Sequence, residues 1–130
     1  MRSERELDCF VAKEVFGNSV KIKEKGMVEV TPQGEKPLRK YSRDIGAAWE
    51  VAEKLNITMV PVENEGWFAF VGTGRGWSNP AAFLEFMQQG NFMGSGAAIA
   101  KSAAEAICLA AFKSLRKENT QPSETVTYDA

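Results

Sequence analysis

Two short stretches of alternating residues, each turned back on itself within a few residues, constrain this chain more than any other feature. In the first, Val20 and Ile22 alternate with Lys21 and Lys23, Lys25-Gly26 supplies the turn, and Val28 and Val30 alternate with Glu29 and Thr31. In the second, a strand from Ile57 to Glu63 meets the turn Asn64-Glu65-Gly66 and returns from Trp67 to Val71. Connections this short join only antiparallel neighbours, because a parallel pair needs a long crossover. Pro61 cannot donate to a ladder, which places its strand at an edge or at a bulge. Alternation sends Phe68 and Phe70 to one face of the sheet and Trp67 to the other.

Helical spacing fills the intervals between the hairpins. Leu7, Phe10, Val11 and Val15 predict a helix from about Arg5 to Phe16, with Glu4, Glu6 and Asp8 at the positive end of its dipole and Gly17-Asn18 as its stop. Residues 32–41 read as a loop. A second helix is expected from Ser42, as N-cap, to Leu55, burying Ile45, Ala48, Trp49, Ala52 and Leu55. Asn79-Pro80 opens a short helix to about Gln89, with proline at its natural first position. The last helix is expected from about Ala97 to Lys117. One apolar face runs through Ile99, Ala103, Ala106, Ile107 and Ala110, and another through Ala104, Cys108, Ala111 and Leu115. The second face has two readings, close packing on a partner chain or burial within one subunit. The expected order is α-ββ-α-ββ-α-α, an α+β fold in which two hairpins form a four-stranded antiparallel sheet packed with helices. With 130 residues and 14.3 kDa, one domain over residues 1–117 is the expectation, followed by a disordered polar tail over 118–130.

Composition removes several classes of function. Sixteen basic and seventeen acidic residues leave a net charge of -1, which is not the footprint of a DNA- or RNA-polymer binder. No apolar run approaches the length of a membrane span, and Met1-Arg2-Ser3-Glu4 does not begin a secretory signal, so no membrane partner and a cytoplasmic location are expected. The absence of histidine excludes a Ser-His-Asp triad, a Cys-His dyad and imidazole-based zinc sites. Cys9 and Cys108 cannot cage a metal alone, and both fall on predicted helices among apolar neighbours, as buried thiols do. Asp44, Glu50 and Glu53 are placed as helix-surface charges, and no nucleophile stands beside a base. No catalytic residue, metal or cofactor is expected.

Between Gly66 and Ala104 only Arg75, Glu85 and Lys101 carry charge, which is not the composition of an ordinary solvated surface. Gly72-Thr73-Gly74-Arg75-Gly76 lacks both the dinucleotide fingerprint and the Gly-Lys-Ser/Thr of a P-loop. Its glycines still allow backbone N–H groups to converge on an anion beside the Arg75 fork. A flexible strand-to-helix connection explains the same residues. Trp67, Phe68, Phe70, Trp77, Phe83, Phe86 and Phe92 crowd this segment, and Trp77 and Phe92 sit in glycine-rich loops. A purine requires a flat partner and a polar group to read its edge, a task suited to Asn91 beside Phe92. The basic excess from Lys21 to Arg43 reads either as a phosphate attractor or as the wet face of an edge strand, with Arg43 at a helix start its best anion contact.

Three stretches carry a resemblance. Arg5-Glu6-Leu7-Asp8-Cys9-Phe10-Val11-Ala12-Lys13-Glu14-Val15-Phe16-Gly17 resembles the opening helix of the phage ABA-sandwich domain. Tyr41-Ser42-Arg43-Asp44-Ile45-Gly46-Ala47-Ala48-Trp49 looks like its second helix, and Ala103-Ala104-Glu105-Ala106-Ile107-Cys108-Leu109-Ala110-Ala111 like its last. The resemblance covers about residues 4–117 and extends to the family's Thoeris anti-defence sponge branch, favoured by the charge-poor segment 72–96 and by the two apolar stripes of the last helix. It implies a phage protein that binds a cyclic ADP-ribose isomer made by bacterial TIR-domain enzymes in the cytoplasm of the infected host. The signal would be held uncleaved, in homodimers or higher homo-oligomers, with cyclic oligonucleotides bound at separate sites in some members. Family members often carry arginine after the Ile-Cys pair; Leu109 stands there, so no ligand role carries over to it.

Two functional readings follow. In the first, a non-enzymatic nucleotide sponge stacks a base on Phe83, Trp77 or Phe92, reads its edge with Asn91, and meets phosphate with Arg75, Arg43 and Arg116. In the second, a structural or accessory phage domain uses residues 72–96 to dock a protein partner. Release of an intact nucleotide from the denatured protein separates them.

Overall fold

The computed structural model describes residues 4–73, 75–89 and 96–116; Asn91, Phe92 and the expected tail 118–130 lie outside them. The chain begins with α1 (Glu4–Phe10), which runs directly into a π-helical segment, Val11–Val15. Phe16 N–H donates to the Val11 carbonyl five residues back, and Gly17, at φ +71°, ends the helix in the left-handed region as Gly17-Asn18 predicts. Strands β1 (Ser19–Lys23) and β2 (Gly26–Thr31) form the first hairpin.

The expected loop 32–41 contains a third strand, β3 (Gly34–Pro37), antiparallel to β2. Its residues lack any apolar alternation, because all four are exposed and pairing alone holds the strand. The face assignment of this sheet also departs from simple alternation. Val20 pairs with Glu29 and Ile22 with Met27, so the apolar positions of β1 share a face with Glu29 rather than with Val28 and Val30. Glu29 is only 2% exposed. Its carboxylate accepts hydrogen bonds from Asn18 Nδ2 and the Tyr41 hydroxyl, both at 2.6 Å. Tyr41 stacks on Phe16, and its phenol is pushed above its ordinary range by burial and by donation to Glu29. On the outer face Lys21 and Lys23 pair with Glu35, the wet-face role expected of them.

Helix α2 (Ile45–Leu55) is capped by Asp44, whose side chain accepts from Gly46 N–H at 2.9 Å, not by Ser42. Ser42 is instead buried, and its backbone N–H donates to Asp8, which Arg5 also contacts, so α1 is tied to the approach of α2. Packing against the π-helical segment and α4 selects a different side of α2 from the expected one. Ala47, Ala48, Val51 and Ala52 face inward, while Ile45 and Trp49, expected in the core, are 53% and 51% exposed. Arg39 grips Glu50 with two 2.9 Å hydrogen bonds, which hold the Glu50 carboxyl below its usual range.

The second hairpin is β4 (Thr58–Val62) and β5 (Gly66–Phe70), with Pro61 on an edge strand as expected. After α3 (Pro80–Gln89), residues Ala97–Ala100 form β6 against β5, where the sequence suggests the start of a helix. Alanine is a helix former, but here small residues let α4 approach this sheet, and pairing overrides propensity. The last helix, α4, spans Ala103–Arg116, with the Ser102 hydroxyl accepting from Glu105 N–H. Among the described residues there are two three-stranded antiparallel sheets, β1-β2-β3 and β4-β5-β6, in place of one sheet of four strands. The fold remains α+β.

Helix α4 joins two cores. Ala104, Ile107, Cys108, Ala111 and Phe112 enter a cluster with Leu7, Val11, Ala48 and Val51, while Ala106 and Ala110 pack on Ala69 and Ala98. The Ala104-Cys108-Ala111 stripe is thus buried within the chain and cannot face a partner; Ile99, expected on the helix, lies in β6 and is exposed. Burial also pushes the Cys108 thiol above its ordinary range.

Tyr41→Phe removes one donor to a buried carboxylate and is expected to cost about 1.5–3 kcal/mol in urea unfolding. A loss below a few tenths would mean that Glu29 finds another donor. Ala111→Glu is expected to abolish the folded state rather than release folded monomers, as read by far-ultraviolet circular dichroism. A thiol reagent should leave Cys108 unmodified in native protein and label it fully in denaturant, as read by intact mass.

Candidate ligand-binding site

Sheet β4-β5-β6 has α4 on one face and the segment from Gly72 to Gln89 on the other. Trp67 turns toward the α4 side and Phe70 toward α3, as alternation predicts. Phe70 is fully buried and stacks on Phe86 of α3, with ring centroids 5.9 Å apart. Asn79 caps α3 by accepting from Ala82 N–H at 2.9 Å, with Pro80 in its first turn.

Trp77 is fixed from several sides. Its indole N–H donates to Thr58 Oγ1 at 3.4 Å, and its ring meets Phe83 edge-on at 5.4 Å and Phe86 at 4.9 Å. Gly72, at φ +66°, lies beneath it; a Cβ there would come within 2.9 Å of the indole. Both the backbone angle and the close approach require glycine. The Thr73 hydroxyl donates to the Gly76 carbonyl and accepts from Arg75 N–H, closing the turn that carries Arg75.

These elements border an open groove of about 500 Å³ lined by Thr73, Arg75, Trp77, Glu85, Phe86 and Gln89, among others. Two of the three charged residues between Gly66 and Ala104, Arg75 and Glu85, line it, and among the described residues neither forms an ion pair. The groove carries an aromatic ring, a cationic fork and a carboxylate acceptor, groups capable of stacking and of charge-assisted hydrogen bonds. Among the described residues no group of three or more His, Cys, Asp or Glu could hold a metal, and no helix is long and apolar enough to cross a membrane.

Of the residues singled out from sequence, Arg75 and Trp77 line this cavity and Phe83 supports Trp77 from behind. Arg43 pairs with Glu4 at 3.5 Å, and Arg116 lies over the Phe112 ring at the end of α4; neither lines the cavity. Asn91 and Phe92 lie outside the described residues. Glu85, Phe86 and Gln89 were not assigned a role by sequence reasoning. Their signal was helical spacing, since residues 82, 85, 86 and 89 fall on one face of a helix beginning at Pro80.

The layered arrangement, with helices on both faces of an antiparallel sheet, agrees with the family comparison. The profile of the phage ABA sandwich domain matches residues 9–112. The chain belongs to the phage ABA sandwich domain family. A 2.0 Å crystal structure of a phage protein from Bacillus cereus ATCC 14579 is similar in fold, with a TM-score of 0.59 and 20% identity over 88% of this chain and 93% of that one. No match is found among curated proteins. The groove lies between Thr73, Arg75 to Ser78 and α3, on the side of sheet β4-β5-β6 away from α4.

Gly72→Ala should displace the Trp77 indole while leaving the sheets intact. A changed near-ultraviolet circular dichroism spectrum with an unchanged far-ultraviolet one is expected. Identical near-ultraviolet spectra would contradict the contact.

Proposed function

We propose that this phage ABA sandwich protein binds a TIR-generated cyclic ADP-ribose isomer and holds it uncleaved, acting as an anti-defence sponge in the cytoplasm of the infected host. The observation that carries this reading is the pairing of a tryptophan fixed by four neighbouring residues with an arginine that has no ion-pair partner among the described residues, in one cavity. A wall already in place loses little conformational entropy on stacking a base, which favours affinity. Sequestration requires binding without turnover, and a chain without histidine suits that task better than it suits hydrolysis. Assembly into homodimers or higher homo-oligomers belongs to the same reading. Ile99, 56% exposed on the edge strand β6, is a surface such assembly would cover. Binding of cyclic oligonucleotides at a separate site is a further extension.

The second reading, a non-enzymatic accessory domain that docks a protein through residues 72–96, is favoured by one observation: Leu84 on α3 is 57% exposed.

The protein is incubated with the product of a TIR-domain enzyme, washed and denatured, and the released material is identified by mass. Intact nucleotide is expected. Arg75→Ala should weaken its binding about ten- to hundredfold by removing a charge-assisted contact of ~1.5–3 kcal/mol. No release, together with no thermal shift by cyclic ADP-ribose isomers or cyclic oligonucleotides, overturns the sponge reading.

A further inference from the structure

Trp77 and Gly76 line a second cavity as well as the first. It measures about 310 Å³, and Trp49 and Ile57 help to wall it, with Glu53, Asn56 and Thr58 among its polar lining. The sequence places Trp49 in the core, yet the structure leaves its indole half exposed, on the helix face that also carries Glu53 and Asn56. A half-exposed tryptophan beside a second indole across a cleft is a surface suited to a planar ring. The volume lies at the lower end of ligand cavities and is enough for one ring system. Its lining includes the Glu53 carboxylate and no cation, so it favours N–H donors and disfavours phosphate. Arg75 lines only the larger of these two cavities, and Gly76, which has no side chain, borders both.

We infer that the cleft between Trp49 and Trp77 is a base subsite, taking a planar nitrogen heterocycle whose phosphate arm passes Gly76 to reach Arg75. This deepens the nucleotide-binding reading and rests on it. Glu53 accepts from the heterocycle's N–H edge while the half-exposed Trp49 ring stacks on it and Trp77 borders the same cleft.

Cyclic ADP-ribose and its isomers are titrated calorimetrically against the unaltered protein, Trp49→Ala, Trp49→Phe and Arg75→Ala, with melting temperatures measured in parallel. Trp49→Ala is expected to weaken binding about ten- to hundredfold at every ionic strength, and Trp49→Phe to restore most of it. Arg75→Ala should weaken binding and also flatten its salt dependence. If Trp49→Ala also lowers the melting temperature, Glu53→Gln on the exposed rim decides, with a severalfold loss expected and unchanged affinity overturning the inference. Unchanged affinity in Trp49→Ala beside a loss in Arg75→Ala overturns the base subsite and leaves the nucleotide reading standing. No binding by the unaltered protein overturns both.

Discussion

The structure depends on how closely α4 approaches sheet β4-β5-β6. Ala106 and Ala110 meet Ala69 and Ala98, so no long side chain separates helix from sheet. At the entry to β6 the approach is tighter still: a Cβ on Gly96 would lie 2.6 Å from the Ser114 side chain, and the glycine stands at φ +92°. Small residues on both surfaces give little transfer free energy each, and their contribution is the dense packing that proximity permits. Because the opposite side of α4 carries Ile107, Cys108 and Phe112 into the second core, one helix sets the position of both halves of the protein. The outer face of the sheet, freed from contact with α4, is where the aromatic segment and its cavity are built.

In the other half a buried polar centre joins the apolar core around Leu7, Val11, Val51 and Ile107. Glu29 in β2 gathers donors from Asn18 after the π-helical segment and from Tyr41 before α2, connecting three segments distant in sequence. A buried carboxylate without donors would cost several kcal/mol, so its two 2.6 Å hydrogen bonds are what make the inward-facing Glu29 tolerable. Asp8 does the same for α1, accepting from Ser42 N–H and Arg5. Together these carboxylates bring the start of α2 against α1 and leave Trp49 on the outer surface of α2.

Strong local signals made much of this legible in the sequence. Both hairpins, the Gly17-Asn18 stop, the Pro80 helix start and the outward turn of Phe70 away from Trp67 follow from period, turn chemistry and capping. The misses have a common physical origin in tertiary contacts. Strand β3 has no apolar pattern because it is exposed throughout, and β6 reads as helix because alanine is chosen there for closeness. In α2 the core takes the small residues Ala47, Ala48, Val51 and Ala52, which leaves the larger Ile45 and Trp49, expected in the core, on the surface. At the candidate site, Arg75 and Trp77 were legible as unusual residues in a charge-poor loop, and Glu85 and Phe86 were not, because their convergence depends on where α3 docks. The exposure of Trp49 is hidden for the same reason, since only packing decides which side of α2 turns inward.

The central claim is that the α3 face of the sheet receives a nucleotide while the α4 face is structural, and the three tryptophans report on it directly. Trp77 lies at the cavity, Trp49 borders the neighbouring cleft, and Trp67 packs with the alanine seam on the other side of the sheet. A ¹⁵N–¹H correlation spectrum resolves the three indole N–H groups as cyclic ADP-ribose isomers are added. The account predicts a progressive shift of the Trp77 indole signal, accompanied by that of Trp49, while Trp67 stays in place. Spectra unchanged at saturating nucleotide, or a shift confined to Trp67, would contradict it.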